Sequence, residues 1–201
     1  YTIDNQFLYR KVERELTGTY INIENFTKEK AEKKQKAIKK AKQIKFDFTD
    51  DMTEYDKAKM IYTYLGENIE YVNDDSENRR KVILKTHYLY DAVCKNETNC
   101  DGFANAFSLL CNLNGIKNFE KKDNPPENVS GHTWNAVLLD GVWYNVDATG
   151  TEEVTADNWT KDLYSRFAFS DKTQTKKPMF SKITPECKKD KIFVGCTLNT
   201  C

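Results

Sequence analysis

The sequence predicts an α+β fold in which a helix packs against an antiparallel sheet. Two stretches carry this prediction: an apolar helical pattern that begins at Cys100, and a hairpin pattern over residues 131–147. Length limits the rest, because 201 residues and 23.4 kDa allow one core domain with extensions but not two full-sized domains. We therefore expect one functional site.

Composition and charge narrow the class of protein. With 39% hydrophobic residues the chain can build a core, so disorder is not expected. The 31 basic and 31 acidic residues balance, so there is no overall electrostatic attraction to nucleic acid, and no nucleic-acid partner is predicted. No apolar run reaches the roughly 18 residues that a membrane span needs, so no transmembrane segment is expected in this chain.

The chain divides into three predicted parts. Residues 1–48 form an N-terminal helical extension, residues 49–172 the core, and residues 173–201 a tail with a short strand over 191–198. The tail is lysine-rich up to this strand-like run, and neither repeats nor a low-complexity linker separate the parts. The division places all candidate site residues in the core.

Two helices are predicted before the site. The first runs from Thr27 to about Ile44 and is dominated by lysines, with only a thin apolar stripe. Such a charge run is usually a solvated helix face, and contact with an anionic cell-surface polymer is the functional alternative. The second helix has Thr53 placed to cap it and Asp56 three residues later, which is a capping-box spacing.

Cys100 lies at the predicted start of a third helix. It follows Asn99, and the pattern ends at Asn114-Gly115. Unpaired amide groups at a helix start stabilise a thiolate and can donate to an oxyanion. The alternative is a disulfide half or a core residue, because the chain contains six cysteines. The apolar residues at helical spacing are Phe103, Ala106, Phe107, Leu110, Cys111 and Leu113.

The hairpin pattern brings a histidine to an aspartate. If Asp140-Gly141 forms a two-residue turn, Leu139 pairs with Val142 and Trp134 lies opposite Asp147. His132 then lies diagonally across from Asp147, within reach of a hydrogen bond. A structural pair is one interpretation. Beside a cysteine at a helix start, the same pair completes a nucleophile, a base and a group that orients the base.

These motifs resemble bacterial transglutaminase-like (transglutaminase core) domains. The resemblance covers roughly residues 50–172 and is carried by Asn-Cys-Asp-Gly-Phe-Ala-Asn-Ala-Phe, His-Thr-Trp-Asn-Ala-Val and Asp-Gly-Val-Trp-Tyr-Asn-Val-Asp-Ala-Thr. It implies a papain-like α+β fold and the catalytic residues Cys100, His132 and Asp147. Ala148 and Gly150 stand where the family usually has proline and tryptophan. Residues 94–99 replace its usual short approach to the cysteine.

The resemblance implies a cysteine-dependent acyl transfer on a protein or peptide amide, by transamidation, deamidation or hydrolysis through a thioester. The alternative is a catalytically inactive cell-surface binding module on the same fold. No cofactor is expected. A zinc site is not predicted, because the histidines are only His87 and His132 and there is no Cys-x-x-Cys. We interpret His87 as structural.

The remaining cysteines indicate the cellular location of the protein. Cys111 shares the apolar helix face and is expected to be a buried free thiol. Cys94, Cys187, Cys196 and Cys201 form an even set, which suits two disulfides in one of three connectivities. The sequence therefore predicts an extracellular or cell-surface protein, of a bacterium by the resemblance, whose export signal is not present in this chain. The expected substrate is associated with the cell surface or cell wall.

Overall fold

The computed structural model describes residues 28–72, 88–123, 131–151, 164–174, 178 and 184–191. The predicted mixture of helices and antiparallel sheet is confirmed. In chain order the described elements are α1 (Lys28–Ala41), α2 (Glu54–Asn68), β1 (Glu70–Tyr71), α3 (Tyr88–Tyr90) running into a π-helical turn (Asp91–Lys95), β2 (Glu97–Thr98), α4 (Cys100–Leu113), β3 (Asn118–Lys122), β4 (Thr133–Leu139), β5 (Val142–Val146), a 3₁₀ turn (Ala148–Thr151) and β6 (Phe167–Phe169).

The main sheet is antiparallel, and α4 packs against it. Its four strands follow the order β3-β4-β5-β6, while β1 and β2 form a separate two-stranded parallel pair. On the side of β4 that faces α4, Asn135 Nδ2 donates to Ala104 O at 3.2 Å and to Ser108 Oγ at 2.9 Å. The helix thus has polar as well as apolar attachment to the middle strand.

The lysine-rich helix α1 forms within the predicted range. Its thin apolar stripe is buried, with Ala31 at 4%, Ile38 at 8% and Ala41 at 1% exposure. Ile44, beyond the helix end, is partly buried against the same core. The helix therefore docks through small side chains, which lets its backbone approach the core closely.

Helix α2 begins at the predicted cap and is anchored to the hairpin. The Thr53 hydroxyl accepts from Asp56 N–H while the Asp56 carboxylate accepts from Thr53 N–H, which completes the capping box. Glu54 N–H also donates to Asp140 Oδ1 at 3.1 Å, and Asp140 N–H to Glu54 Oε2 at 2.8 Å. The start of α2 is therefore fixed to the tip of the β4–β5 turn.

The hairpin has the predicted tight turn and register. Leu139 pairs with Val142, and the register continues to Asn135 opposite Val146. Asp140 and Gly141 have φ of 50° and 82°, the left-handed conformations that a two-residue turn between twisted strands requires. This register brings the start of β4 beside the end of β5.

One buried core joins the helices to the sheet. Its centre is α4, where Phe103, Phe107, Leu109 and Leu110 are at most 1% exposed. From α2 it receives Ala58, Ile61, Tyr62 and Leu65, and from the sheet Val137, Leu139, Val146 and Phe167. Within the described ranges, no helix is both long and apolar enough to cross a membrane.

The cysteines depart from one expectation. Cys111 is a fully buried free thiol, as predicted, and burial raises its pKa well above the usual value. Cys94 and Cys187 are also free thiols, so the predicted disulfides through them are not formed. Cys94 lies within the π-helical turn and packs against the core, whereas the Cys187 sulfur is buried 3.5 Å from Lys121 Nζ, so each thiol has other neighbours. Cys196, Cys201 and all but the first residue of the predicted strand over 191–198 lie outside the described residues.

Candidate active site

Cys100 is the first residue of α4. The side chain of the preceding Asn99 caps the helix by accepting from Gly102 N–H at 3.3 Å. The Phe103 N–H donates to Asn99 O at 3.1 Å, whereas helix geometry gives the N–H groups of Cys100 and Asp101 no acceptor within α4. Cys100 is 8% exposed, and its interaction with the His132 ring is one of the causes that raise the pKa of His132.

The stretch before Cys100 takes an unusual path. The π-helical turn ends at Asn96, which has a φ of 61° and turns the chain into β2. Thr98 then lies so close to α4 that a Cβ built on Gly102 would meet the Thr98 hydroxyl at 1.9 Å. This close approach requires glycine at position 102, and it sets where the helix begins.

His132 bridges the cysteine and the aspartate. Its Nε2 lies 2.6 Å from Asp147 Oδ2, which leaves the Nδ1 side of the ring for the thiol. The ring stacks on Trp134, with 6.1 Å between centroids and 16° between planes. Asp123 holds the backbone of His132 on both sides, because its N–H donates to His132 O and its carboxylate accepts from His132 N–H at 2.6 Å.

Asp147 is held in an ionised state. The carboxylate is buried, which raises its pKa, but the His132 hydrogen bond and charge, the Thr149 hydroxyl and the Arg166 charge outweigh burial and leave the pKa below the usual value. Thr149 Oγ1 donates to Asp147 Oδ1 at 2.5 Å. Both carboxylate oxygens are therefore occupied, which fixes the plane of the group opposite the ring.

The same contacts keep the His132 ring protonated. Burial lowers the pKa of His132, but hydrogen bonds and charges from Asp147 and Cys100 outweigh it and raise the pKa to about 9. At neutral pH the ring is an imidazolium between a carboxylate and a sulfur. It can thus offer the sulfur a cationic hydrogen-bond donor and can deliver a proton to a leaving group.

The structure brings together the three residues that the sequence singled out, Cys100, His132 and Asp147. It also shows supporting residues that sequence reasoning missed. Asp123 contacts the backbone of His132, and Asp101 contacts the Thr133 side chain. Nothing in the spacing of their neighbours along the sequence indicated these contacts. No group of three potential ligands could hold a metal ion in the part of the chain that the structure describes, and His87 lies outside that part.

Comparisons with known proteins found a family model and two curated relatives that match this chain. The model of the transglutaminase-like superfamily matches residues 38–148. Two curated relatives are the kyphoscoliosis peptidases of Mus musculus, 28% identical over 132 residues, and of Homo sapiens, 30% identical over 133 residues. Each match covers 58% of this chain and 19% of the relative, so the chain spans about a fifth of the length of these proteins.

Two solved structures are also similar to parts of this chain. A proposed cysteine protease from Cytophaga hutchinsonii is 16% identical with a TM-score of 0.37, over 68% of this chain and 47% of that one. A structure described as a TGase is 21% identical with a TM-score of 0.41, over 74% of this chain and 39% of that one.

Proposed function

Because the chain belongs to the transglutaminase-like superfamily, we propose that it is a cysteine-dependent enzyme that transfers the acyl group of a protein or peptide amide. Cys100 is the proposed nucleophile, His132 the acid and base, and Asp147 the group that orients His132. The observation that carries the proposal is the position of the His132 ring, which lies 2.6 Å from Asp147 and whose pKa is raised, against burial, by Asp147 and Cys100.

The proposed reaction has two stages. The Cys100 thiolate attacks the amide carbonyl, and the electron pair of the C=O bond moves onto oxygen. When the tetrahedral intermediate collapses, His132 gives its proton to the departing amine or ammonia, and a thioester remains on the sulfur. An amine acceptor or water then attacks the thioester, gives a proton back to His132 and releases the thiolate.

The helix start and Asp147 support these stages. The N–H of Cys100 has no acceptor in α4, so it is the proposed donor to the oxyanion. Asp147 is ionised and immobilised, which keeps the ring oriented and stabilises its charge through the reaction. The substrate is proposed to be a protein or peptide; an amine acceptor would give cross-linking and water would give hydrolysis or deamidation.

The first test is alkylation of Cys100 by iodoacetamide as a function of pH, followed by peptide mass. We expect fast labelling at pH 6 to 7, below the usual free-thiol pKa of about 8.5, in the wild type and slow labelling in His132→Ala. Cys111 is the internal control, since its thiol is fully buried. Equal, slow labelling of Cys100 in both proteins would favour the inactive binding module.

The second test is turnover. Glutamine-containing peptides are incubated with a fluorescent primary amine, and incorporation and ammonia release are followed together. We expect both activities to disappear in Cys100→Ala while its thermal unfolding stays cooperative. Turnover that survives in Cys100→Ala would exclude Cys100 as the nucleophile.

A further inference from the structure

We propose that Asp101 is a positioning residue that holds the chain segment carrying Cys100 against the segment carrying His132. Asp101 follows the nucleophile directly in sequence, and its hydrogen-bond partner Thr133 follows His132 directly. The inference rests on the proposed function, because it concerns how the Cys100–His132 pair is held in reactive geometry.

One oxygen of Asp101 receives two donors. Thr133 Oγ1 donates to Asp101 Oδ1 at 2.7 Å, and Lys122 Nζ donates to the same oxygen at 3.0 Å. Thr133 is at the start of β4 and Lys122 is at the end of β3. A single carboxylate therefore connects the start of α4 with the ends of two neighbouring strands. We call these three residues the Asp101 clamp.

Burial protects the hydrogen bond between Thr133 and Asp101 from competition by water. Thr133 is 1% exposed and the Asp101 side chain is 17% exposed, so water does not readily replace either partner. Hydrogen bonds to an ionised acceptor are shorter and stronger than neutral ones. Removing the Thr133 hydroxyl would leave a charged, mostly buried oxygen with only the Lys122 ammonium as its side-chain donor.

Lys122 keeps its charge in this position. Burial lowers its pKa, but the charge and hydrogen bond of Asp101, with smaller contributions from Tyr88 and Cys100, outweigh burial and raise the pKa. The ammonium therefore keeps its charge at neutral pH. It neutralises Asp101, which would otherwise place an uncompensated negative charge next to the nucleophile.

The attachment of α4 as a whole does not depend on the Asp101 clamp. Farther along the helix, Asn135 bonds Ala104 and Ser108, and Asn105 Nδ2 donates to Glu120 at 3.2 Å. The apolar face of α4 is fully buried. Loss of the clamp should therefore free the first turn of the helix while the rest stays packed. Displacement of a reacting atom by about 1 Å can reduce a rate about a hundredfold.

The test compares Thr133→Val, which removes the hydroxyl but keeps the shape, with Thr133→Ser, which restores it. The readout is the rate of Cys100 alkylation by iodoacetamide from pH 5 to 10. We expect Thr133→Val and Asp101→Ala to be about tenfold slower or more at pH 6.5, with the labelling midpoint moved toward that of a free thiol. Thr133→Ser should stay within about twofold of the wild type.

Ser108→Ala is the matched control, because it removes the helix-to-sheet hydrogen bond from Asn135 Nδ2 to Ser108 Oγ, about two turns along α4 from Cys100. It should lower the thermal midpoint without moving the pH profile. The double variant Asp101→Ala/Thr133→Val should label no more slowly than the slower single variant, since both remove one interaction.

The outcomes separate the two proposals. If the wild type labels fast at pH 6.5 and Thr133→Val labels equally fast with the same profile, the Asp101 clamp is overturned and the proposed function stands. Slow labelling of the wild type overturns the proposed function and this inference together. If Asp101→Ala fails to fold, Thr133→Val and its serine rescue decide the question.

Discussion

The charge state of His132 decides the chemistry of the site at the scale of single residues. The chain contains only two histidines, His87 and His132, so their proton resonances can be followed separately by NMR. We expect His132 to titrate near its raised pKa of about 9. In Asp147→Asn the carboxylate no longer opposes burial, so the pKa of His132 should fall well below that of the wild type. A wild-type titration near 6.5 would contradict the charged ring.

The same pKa predicts how stability depends on pH. The folded pKa of His132 lies above its unfolded value of 6.5, so its contribution is fully present below pH 6.5 and is lost as pH rises through about 9. The difference corresponds to about 3 kcal/mol. Urea unfolding from pH 6 to 10 should show this decline in the wild type and a flatter curve in His132→Ala. If the stability of both proteins declines equally with pH, other titrating groups cause the decline.

Sequence could predict some of these contacts and not others. The His132–Asp147 contact follows from the strand period and the two-residue turn, so counting along the hairpin was enough. The contact between Asp101 and Thr133 joins a helix start to a strand that begins 32 residues later. No periodicity links these positions, because their separation depends on how α4 packs on the sheet.

At the scale of elements, the position of Cys100 depends on how closely β2 approaches α4. A methyl group at position 102 would lie 1.9 Å from the Thr98 hydroxyl, so Gly102→Ala must push the two elements apart. We expect a loss of about 2 kcal/mol or more in unfolding free energy and a fall in Cys100 labelling. Both are measured on the same preparation, by urea unfolding and by alkylation.

Gly115 at the other end of α4 provides the control. It has a φ of 74° and open space around it, so Gly115→Ala should cost about 1 kcal/mol through backbone strain alone. Labelling of Cys100 should then be unchanged. Equal loss of labelling in both variants would mean that general destabilisation, rather than the approach of β2, controls the nucleophile.

The elements also show where sequence patterns stop being informative. The α2 cap and the β4–β5 hairpin have local signals, and both formed as predicted. The π-helical turn over Asp91–Lys95 and the left-handed Asn96 have none, because extra residues in a helical turn are stabilised by neighbouring elements rather than by local propensity. The path into Cys100 was therefore the part of the site that the sequence left open.

At the scale of the whole molecule, residues 184–191 are held by hydrogen bonds to β6 and to the residues that follow it. Asp171 N–H donates to Cys187 O at 2.7 Å, and Cys187 N–H donates to Asp171 Oδ2 at 2.8 Å. Asp190 Oδ1 accepts from Ser170 N–H at 2.7 Å, and Lys191 N–H donates to Ala168 O at 2.8 Å. Cys187 takes part in this docking as a free thiol. The extracellular location, which was predicted from Cys94, Cys187, Cys196 and Cys201 as an even set, stays a prediction.

A buried lysine holds this docking in place. Lys121 is 1% exposed, and its ammonium donates to Asp171 Oδ1 at 2.9 Å and to Asn145 Oδ1 at 3.0 Å, with Cys187 Sγ at 3.5 Å. Asn145 Oδ1 also accepts from Trp134 Nε1 at 3.1 Å, and Trp134 stacks on the site histidine. The docked segment is thus connected to the candidate site through Asn145 and Trp134, whose ring stacks on His132.

Removing the ammonium should therefore loosen the docked segment. Because Asp171 is 39% exposed, we expect Lys121→Met to cost about 2 to 4 kcal/mol, toward the low end for a broken buried pair. Exposed Lys188, which pairs with Glu186 at the surface, is the matched control, and Lys188→Met should change stability by less than about 0.5 kcal/mol.

Burial raises the pKa of Cys187 to about 11, so its thiol should react slowly with a disulfide reagent at pH 8 in the wild type. Faster reaction of Cys187 in Lys121→Met, but not in Lys188→Met, would show that the lysine keeps the segment closed; unchanged reactivity with a large loss of stability would place the role of Lys121 in the sheet alone.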